Sequence, residues 1–240
     1  MATFIMKDTE IYLKDLNLSG KTNQVTLGLE VEMQDETVFG LGTRKNKPGL
    51  RTAALEVNTF YDNAAADPDL EEFGGPSQEG QLLAVIPQGS TEGNIAYFGE
   101  FQIESYALDG AVGDLLAVRL SANARYKPTQ GKVFMPHVQD TGSDVSSKIQ
   151  LGAITATKQL VAQVHLTQFD GTSLDIAVQS DADASAGGET TRVSMTQLTA
   201  VGSERKVYTT AQTDTYWRLS WTFVGTSFTA VVLLGIENQP

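Results

Sequence analysis

Apolar side chains recur at every second position along most of the chain, so the sequence predicts strands almost throughout. In 24–33, Val25, Leu27, Leu29, Val31 and Met33 fall on one face and Thr26, Gly28, Glu30 and Glu32 on the other. That is a strand with one side against a core. The stretch 52–61 groups Ala53, Leu55, Val57 and Tyr61, and 94–108 groups Ile95, Tyr97, Phe101 and Ile103, with Gly99 predicting a bulge. After a turn at Leu108-Asp109-Gly110, Leu116, Val118, Leu120, Ala122, Ala124 and Tyr126 alternate with Arg119, Ser121, Asn123 and Arg125, as expected of an antiparallel neighbour. Further on, Leu160, Ala162, Val164 and Leu166 form one apolar face and Leu174, Ile176 and Val178 another. The stretches 216–224 and 229–236 predict a hairpin closing at Gly225-Thr226. Trp217, Leu219, Trp221 and Phe223 share one face of it and are expected in a core, where each indole N–H needs an acceptor.

One short helix is expected where Asp67 caps, Pro68 takes the first helical position and Asp69, Glu71 and Glu72 suit the helix dipole, with Gly74-Gly75-Pro76 as its stop. A solvated acidic loop is the alternative. Alternation lapses between Met135 and Val145, so a domain boundary is expected there. The predicted fold is all-β, with two β-sandwich domains: residues 1–137, carrying the one short helix, and residues 147–240, jelly-roll or Ig-like, joined by a linker at 138–146.

The 240 residues carry 29 acidic and 17 basic side chains, a net charge of -12, and no cysteine. Disulfide frameworks, zinc ribbons and thiol nucleophiles are thereby excluded. Most of the acidic excess precedes residue 141, leaving no broad basic face for nucleic acid or anionic lipid. The start of the chain shows no secretory signal, so cytoplasmic synthesis is expected, and the apolar run 228–236 is too short for a membrane helix and reads as a buried strand.

Candidate chemistry is sparse. His137 falls where the alternation lapses and His165 in a strand beside Val164 and Leu166, neither with a partner at catalytic spacing, and His165 reads as a structural or surface residue. Ser19-Gly20-Lys21-Thr22 ends like a phosphate loop, but Asp15 stands where the first glycine belongs. No Gly-x-Ser-x-Gly elbow occurs. Asp181 and Asp183 offer two carboxylates to an ion without the glycine and closing Glu of a calcium loop, which favours a solvated turn. No cofactor, metal or catalytic residue is expected, and an enzyme is the least favoured class.

The most distinctive segment is 31–62, where an amphipathic strand runs into Thr37, Phe39 and Gly40, then Arg44, Lys45 and Lys47, then Gly49-Leu50, and a second strand ends in Phe60-Tyr61-Asp62. This resembles the first half of the tail tube proteins of long-tailed bacteriophages. Gly113-Asp114 and Gly131-Lys132 resemble later positions of the same family, and coverage is about residues 1 to 135, with 63–93 poorly matched. The C-terminal half is similar, less specifically, to β-sandwiches appended to phage structural proteins. The resemblance implies a subunit whose sheet joins those of sister copies in rings, trimeric or hexameric, that stack around a channel for DNA. It implies a place in the virion, in the phage tail, after synthesis in the host bacterial cytoplasm. Expected partners are further copies and other phage tail or head proteins, with DNA passing unbound and no membrane. Phe39, Gly40, Arg44, Lys45, Lys47 and Gly49 are then expected at subunit contacts, the cations meeting acidic groups such as Asp67 to Glu72 of a neighbour. Glu30, Glu32, Glu100 and Glu104 are expected to face the channel, with Arg119 and Arg125 paired across the sheet with Glu100 or Glu104. Competing readings are a capsid decoration or head-tail joining protein, and a carbohydrate-binding sandwich presenting the aromatic strand 216–223.

Overall fold

The computed structural model describes residues 8–37, 43–61, 80–111, 115–185 and 187–239. Among these residues the chain is all strand, turn and loop, without a helix. The helix expected from Asp67 to Glu72 lies outside the described residues. The chain forms two compact units that are not consecutive halves: one comprises Met1–Gly20, Leu82–Gly99 and Thr129–Pro240, the other Lys21–Gln81 and Glu100–Pro128. This partition differs from the linear division expected from composition.

The first unit is organised by two very long strands, β11 (Lys158–Asp181) and β14 (Tyr216–Asn238), paired antiparallel over nearly their whole length. The hairpin expected inside 216–236 is therefore one continuous strand. Gly225 lies opposite Gly171 of β11, and a Cβ placed on Gly225 would come within 2.3 Å of the Gly171 Cα. The register shifts at Asp170/Gly171 and Gly171/Ser173 fall at this crossing. Paired glycines here mark close backbone approach and a bend rather than a turn. Beyond the bend burial alternates along β11 from Leu174 through Ile176 and Val178 to Ser180, against Trp217, Leu219, Trp221 and Phe223 of β14. On the other side of the bend both faces are buried. Leu160, Ala162, Val164 and Leu166 join the Trp-containing cluster, whereas Val161, Val231 and Leu233 pack with Tyr12, Ala84, Ile86, Ala96, Phe98 and Val133 in a second one. A strand enclosed on both faces loses alternation, which explains the unbroken apolar run 230–234.

The expected linker is also strand. β8 (Thr129–Asp140) pairs with β14 as far as Asp140↔Phe228, and β9 (Asp144–Val145) pairs with it at Val145↔Ser220. The pattern lapses because Val133, Phe134 and Met135 are consecutively buried, and because Pro136 lies in the register shift between Ala230 and Val232. Proline, lacking an N–H, is tolerated there. β1 (Glu10–Leu13), β2 (Leu16–Asn17), β5 (Gln81–Ile86) and the start of β6 (Ile95–Asp109) extend the order to β11-β14-β8-β6-β5-β1-β2. The indoles find the acceptors that burial requires: Trp217 Nε1 donates to Gly152 O at 3.0 Å and Trp221 Nε1 to Asp140 Oδ2 at 3.2 Å.

The second unit is an antiparallel sheet in the order β3 (Thr22–Asp35), β4 (Asn46–Phe60), β7 (Ala117–Ala124) and the latter part of β6. Ala53, Leu55, Val57, Phe101, Ile103, Val118, Leu120 and Ala122 are buried, as alternation requires. The bulge expected at Gly99 falls instead between Ile103 and Ser105.

Candidate assembly surface

The register of the second unit sets its polar face. Gly28, Ala54, Asn123 and Gln102 lie across from one another, as do Thr26, Glu56 and Ser121, and Glu30 lies opposite Thr52. Glu104 occupies the bulge and accepts from Asn123 Nδ2 at 2.9 Å and Ser121 Oγ at 3.4 Å, which brings it to this face. Asn58 donates to Gln24 at 3.1 Å. Both arginines of the face are neutralised: Arg125 by Glu100 at 2.8 Å, and Arg119 by Asp109 at 2.5 Å. Of the four carboxylates expected to face a channel, Glu30, Glu32 and Glu104 are exposed and Glu100 is half-buried in its ion pair. Glu56 belongs with them and was not singled out by the sequence, although its place among alternating strand residues was the available signal.

On the opposite face the apolar stripe of β3 runs past the core. Val25 and Leu27 are half-buried across from Val57 and Leu55, but Leu29, Val31 and Met33 are exposed. β3 pairs only with β4 among the described strands, so this fourteen-residue strand is an edge of the described sheet. Natural edges of such length are usually blunted by bulges, prolines or inward charge. Leu29, Val31, Arg51, Ala53, Tyr126 and Lys127 are among the residues around an open pocket of about 210 Å³.

Phe39 and Gly40 lie outside the described residues, as do Gly113-Asp114 and the acidic stretch from Asp67. Arg44, Lys45, Lys47 and Gly49 lie on the β3–β4 hairpin. Its cations pair internally: Arg44 with Asp35 at 3.0 Å, and Lys45 and Lys47 with Glu36 at 3.4 and 3.3 Å. Hydrogen bonds from Thr37 and Arg44 hold the Asp35 carboxyl below the usual carboxylate range. These exposed pairs are worth little individually. Gly49 lies close under β3, where a Cβ would meet Glu32 O at 3.2 Å.

The titratable groups that the sequence singled out in the first unit are held by internal hydrogen bonds and ion pairs. His165 is fully buried; its Nδ1 donates to Lys14 O at 2.6 Å, and its Nε2 accepts from Gln163 Nε2 at 2.8 Å. Burial lowers its pKa to about 4. His137 Nε2 lies 2.8 Å from Thr167 Oγ1, which itself donates to Thr229 O, so the ring is the donor; burial lowers its pKa as well. Tyr12 packs between the two imidazoles and donates to Glu10, with burial first and that carboxylate second pushing its phenol pKa up. Near Asp181, the Lys148 ammonium takes the place a cation would have, meeting Asp181 Oδ2 at 2.5 Å, Glu189 Oε1 at 3.1 Å and the Ser185 carbonyl. Asp183 accepts from Ser185 N instead. Among the described residues no cluster of three or more His, Asp or Glu is placed to hold a metal.

No protein-family model matches the chain, and no curated protein does. Among solved structures, it is similar to a chain in the virion of a native gene transfer agent particle, at 16% identity and a TM-score of 0.44, over 53% of this chain and 98% of that one. It is similar to the SPP1 Dit protein, described as a paradigm of the hub adsorption apparatus in phages infecting Gram-positive hosts, at 14% identity and a TM-score of 0.41, over 96% and 100% of the two chains. It is also similar to a chain in the sheath-tube complex of an extracellular contractile injection system in the extended state, at 10% identity and a TM-score of 0.44, over 55% and 93%.

Proposed function

We propose that this chain is a structural, non-enzymatic subunit of a virion, of the phage tail tube type, whose copies join through the sheet of the second unit into stacked rings around a DNA channel. The observation that carries this reading is β3, a fourteen-residue edge with Leu29, Val31 and Met33 open to water. Unpaired strand groups and an adjoining apolar stripe are satisfied together when another strand is added. The residue-level resemblance of 31–62 to tail tube proteins points the same way.

The polar face suits the wall of such a channel. It carries Glu30, Glu32, Glu56 and Glu104, and its Arg119 and Arg125 already have carboxylate partners. Each unneutralised cation touching a phosphate would add affinity, and hence drag, to passing DNA. The described hairpin residues near Gly49 belong to the same contact, their cations being engaged within the hairpin. Burial of Trp217 and Trp221 disfavours the sugar-binding alternative, since neither indole offers an open face.

The test is the double substitution Leu29→Lys with Val31→Lys. Negative-stain electron microscopy of concentrated protein should show rings or tubes for the unmodified chain and none for the variant, with unchanged circular dichroism. Assemblies of equal number and form in the variant would contradict the reading.

A further inference from the structure

We propose that Lys148 and Asp181 condense spontaneously to an isopeptide bond, with Glu189 moving the protons, so that the mature chain carries a covalent staple in its first unit. β10 (Ile149–Gln150) lies on one side of β14 and β11 on the other, and Ile149, Trp217 and Ser180 form one row across the three. Lys148 precedes Ile149 and Asp181 follows Ser180, on strands two spacings apart, about 10 Å. A lysine side chain is long enough to close that gap, and Lys148 Nζ stands 2.5 Å from Asp181 Oδ2. Glu189 immediately precedes β12 (Thr190–Ser194), whose Thr190 pairs with Ser180, so its carboxylate comes to the same point, 3.1 Å from Nζ. The Lys148, Asp181 and Glu189 side chains are only 10, 9 and 12% exposed, which keeps most water from the contact.

Two charges held out of water carry a desolvation cost that their attraction offsets only in part. An amide is neutral, so condensation removes that cost, and groups fixed in contact react as if at an effective concentration on the order of 10⁵ M or more. Burial opposes the Lys148 charge, but hydrogen bonds to Asp181 and Glu189 outweigh it and hold the ammonium pKa up; the bond from Lys148 holds the Asp181 carboxyl down. The pair therefore starts as ammonium and carboxylate, and proton transfer is the slow event. Glu189 is ionised, its pKa lowered by its own backbone N–H, by Lys148 and by Arg218, whose guanidinium lies 2.9 Å away. Glu189 takes a proton from Nζ and delivers it to Asp181 Oδ2. The freed Nζ lone pair forms the C–N bond at Asp181 Cγ as the carbonyl π pair moves onto oxygen. Glu189 then carries a second proton from Nζ to the Oδ2 hydroxyl, the C–O bond breaks and the carbonyl re-forms. Nζ keeps one hydrogen, the other two leave with Oδ2 as water, and Glu189 is regenerated, so no co-reactant is needed. Each chain reacts once, within itself, and the bond ties β10 to β11 across β14 in a protein that has no cysteine for a disulfide.

Mass spectrometry of the purified full chain tests it. Kept near neutral pH until its mass no longer changes, the protein should weigh one water less than its 25.8 kDa sequence. Trypsin should then fail to cleave after Lys148, and the peptides of Lys148 and Asp181 should be recovered as one branched species. Lys148→Arg keeps a cation beside Asp181 without a condensable amine, and Glu189→Gln keeps the shape without the proton carrier. Both variants should retain the full mass. An unmodified chain that keeps its full sequence mass overturns the proposal. So does a missing water that maps to Asp109-Gly110 or Asp170-Gly171, where a succinimide would form instead, or one that persists in Lys148→Arg. Condensation of Glu189→Gln at the unmodified rate would overturn the role given to Glu189.

Discussion

At the residue scale, His165 shows how a polar side chain is kept inside an apolar layer. Its ring donates to Lys14 O and accepts from Gln163, an arrangement open only to the neutral imidazole. The folded-state pKa of about 4 lies below the ordinary 6.5, so the unfolded chain takes up the proton first. The stabilisation is therefore complete above about pH 6.5 and is lost as the pH falls from there to about 4, a change of order 3 kcal/mol. Urea unfolding at stepped pH should show that slope, and His165→Asn should flatten it; an equal slope in the variant would place the acid sensitivity elsewhere. Trp221, packed against the β11 strand and donating to Asp140, should cost about 3 to 5 kcal/mol when replaced by Ala. A loss below about 1 kcal/mol would mean that its burial contributes little. That these indoles face inward was legible from strict alternation along 216–223. Their acceptors were not, because Gly152 and Asp140 are distant in sequence.

At the element scale, the strands with one buried face were legible because alternation reports a single core. The observed β3, β4, β6 and β7 overlap the expected strands closely. Where a strand is enclosed on both faces the signal vanishes: the end of β8, from Met135 on, read as a domain boundary, and the glycine of a bend read as a turn. Gly225 distinguishes bend from turn directly. A side chain there would strike Gly171 in the facing strand, so Gly225→Val should destabilise the first unit by at least about 2 kcal/mol. A thermal midpoint within about 1 °C of the unmodified protein would refute the close approach at the bend. The hairpin cations carry information that the sequence did not: the resemblance implied contacts to a neighbouring subunit, and within the chain they pair with Asp35 and Glu36, on the facing strand or beside it. Lys45→Glu with Lys47→Glu should accordingly cost less than about 1 kcal/mol in stability, and denaturant titration checks it.

At the scale of the whole molecule, the linear order of the chain conceals its organisation, since Lys21–Gln81 and Glu100–Pro128 form one unit and the segments around them another. No composition shift marks such a boundary, because strands on either side of it obey the same period. The surface is acidic, and the two arginines of the polar sheet face are spoken for by Glu100 and Asp109. Duplex DNA should therefore not bind at about 50 mM salt, where even a few free phosphate contacts would register; fluorescence anisotropy checks this. What decides the account is whether the open edge of β3 and its exposed apolar stripe find a partner in another copy. Sedimentation velocity of the purified full chain across a hundredfold range of concentration measures that most directly. The account predicts discrete assemblies that grow as concentration rises. A single species of 25.8 kDa throughout would contradict it.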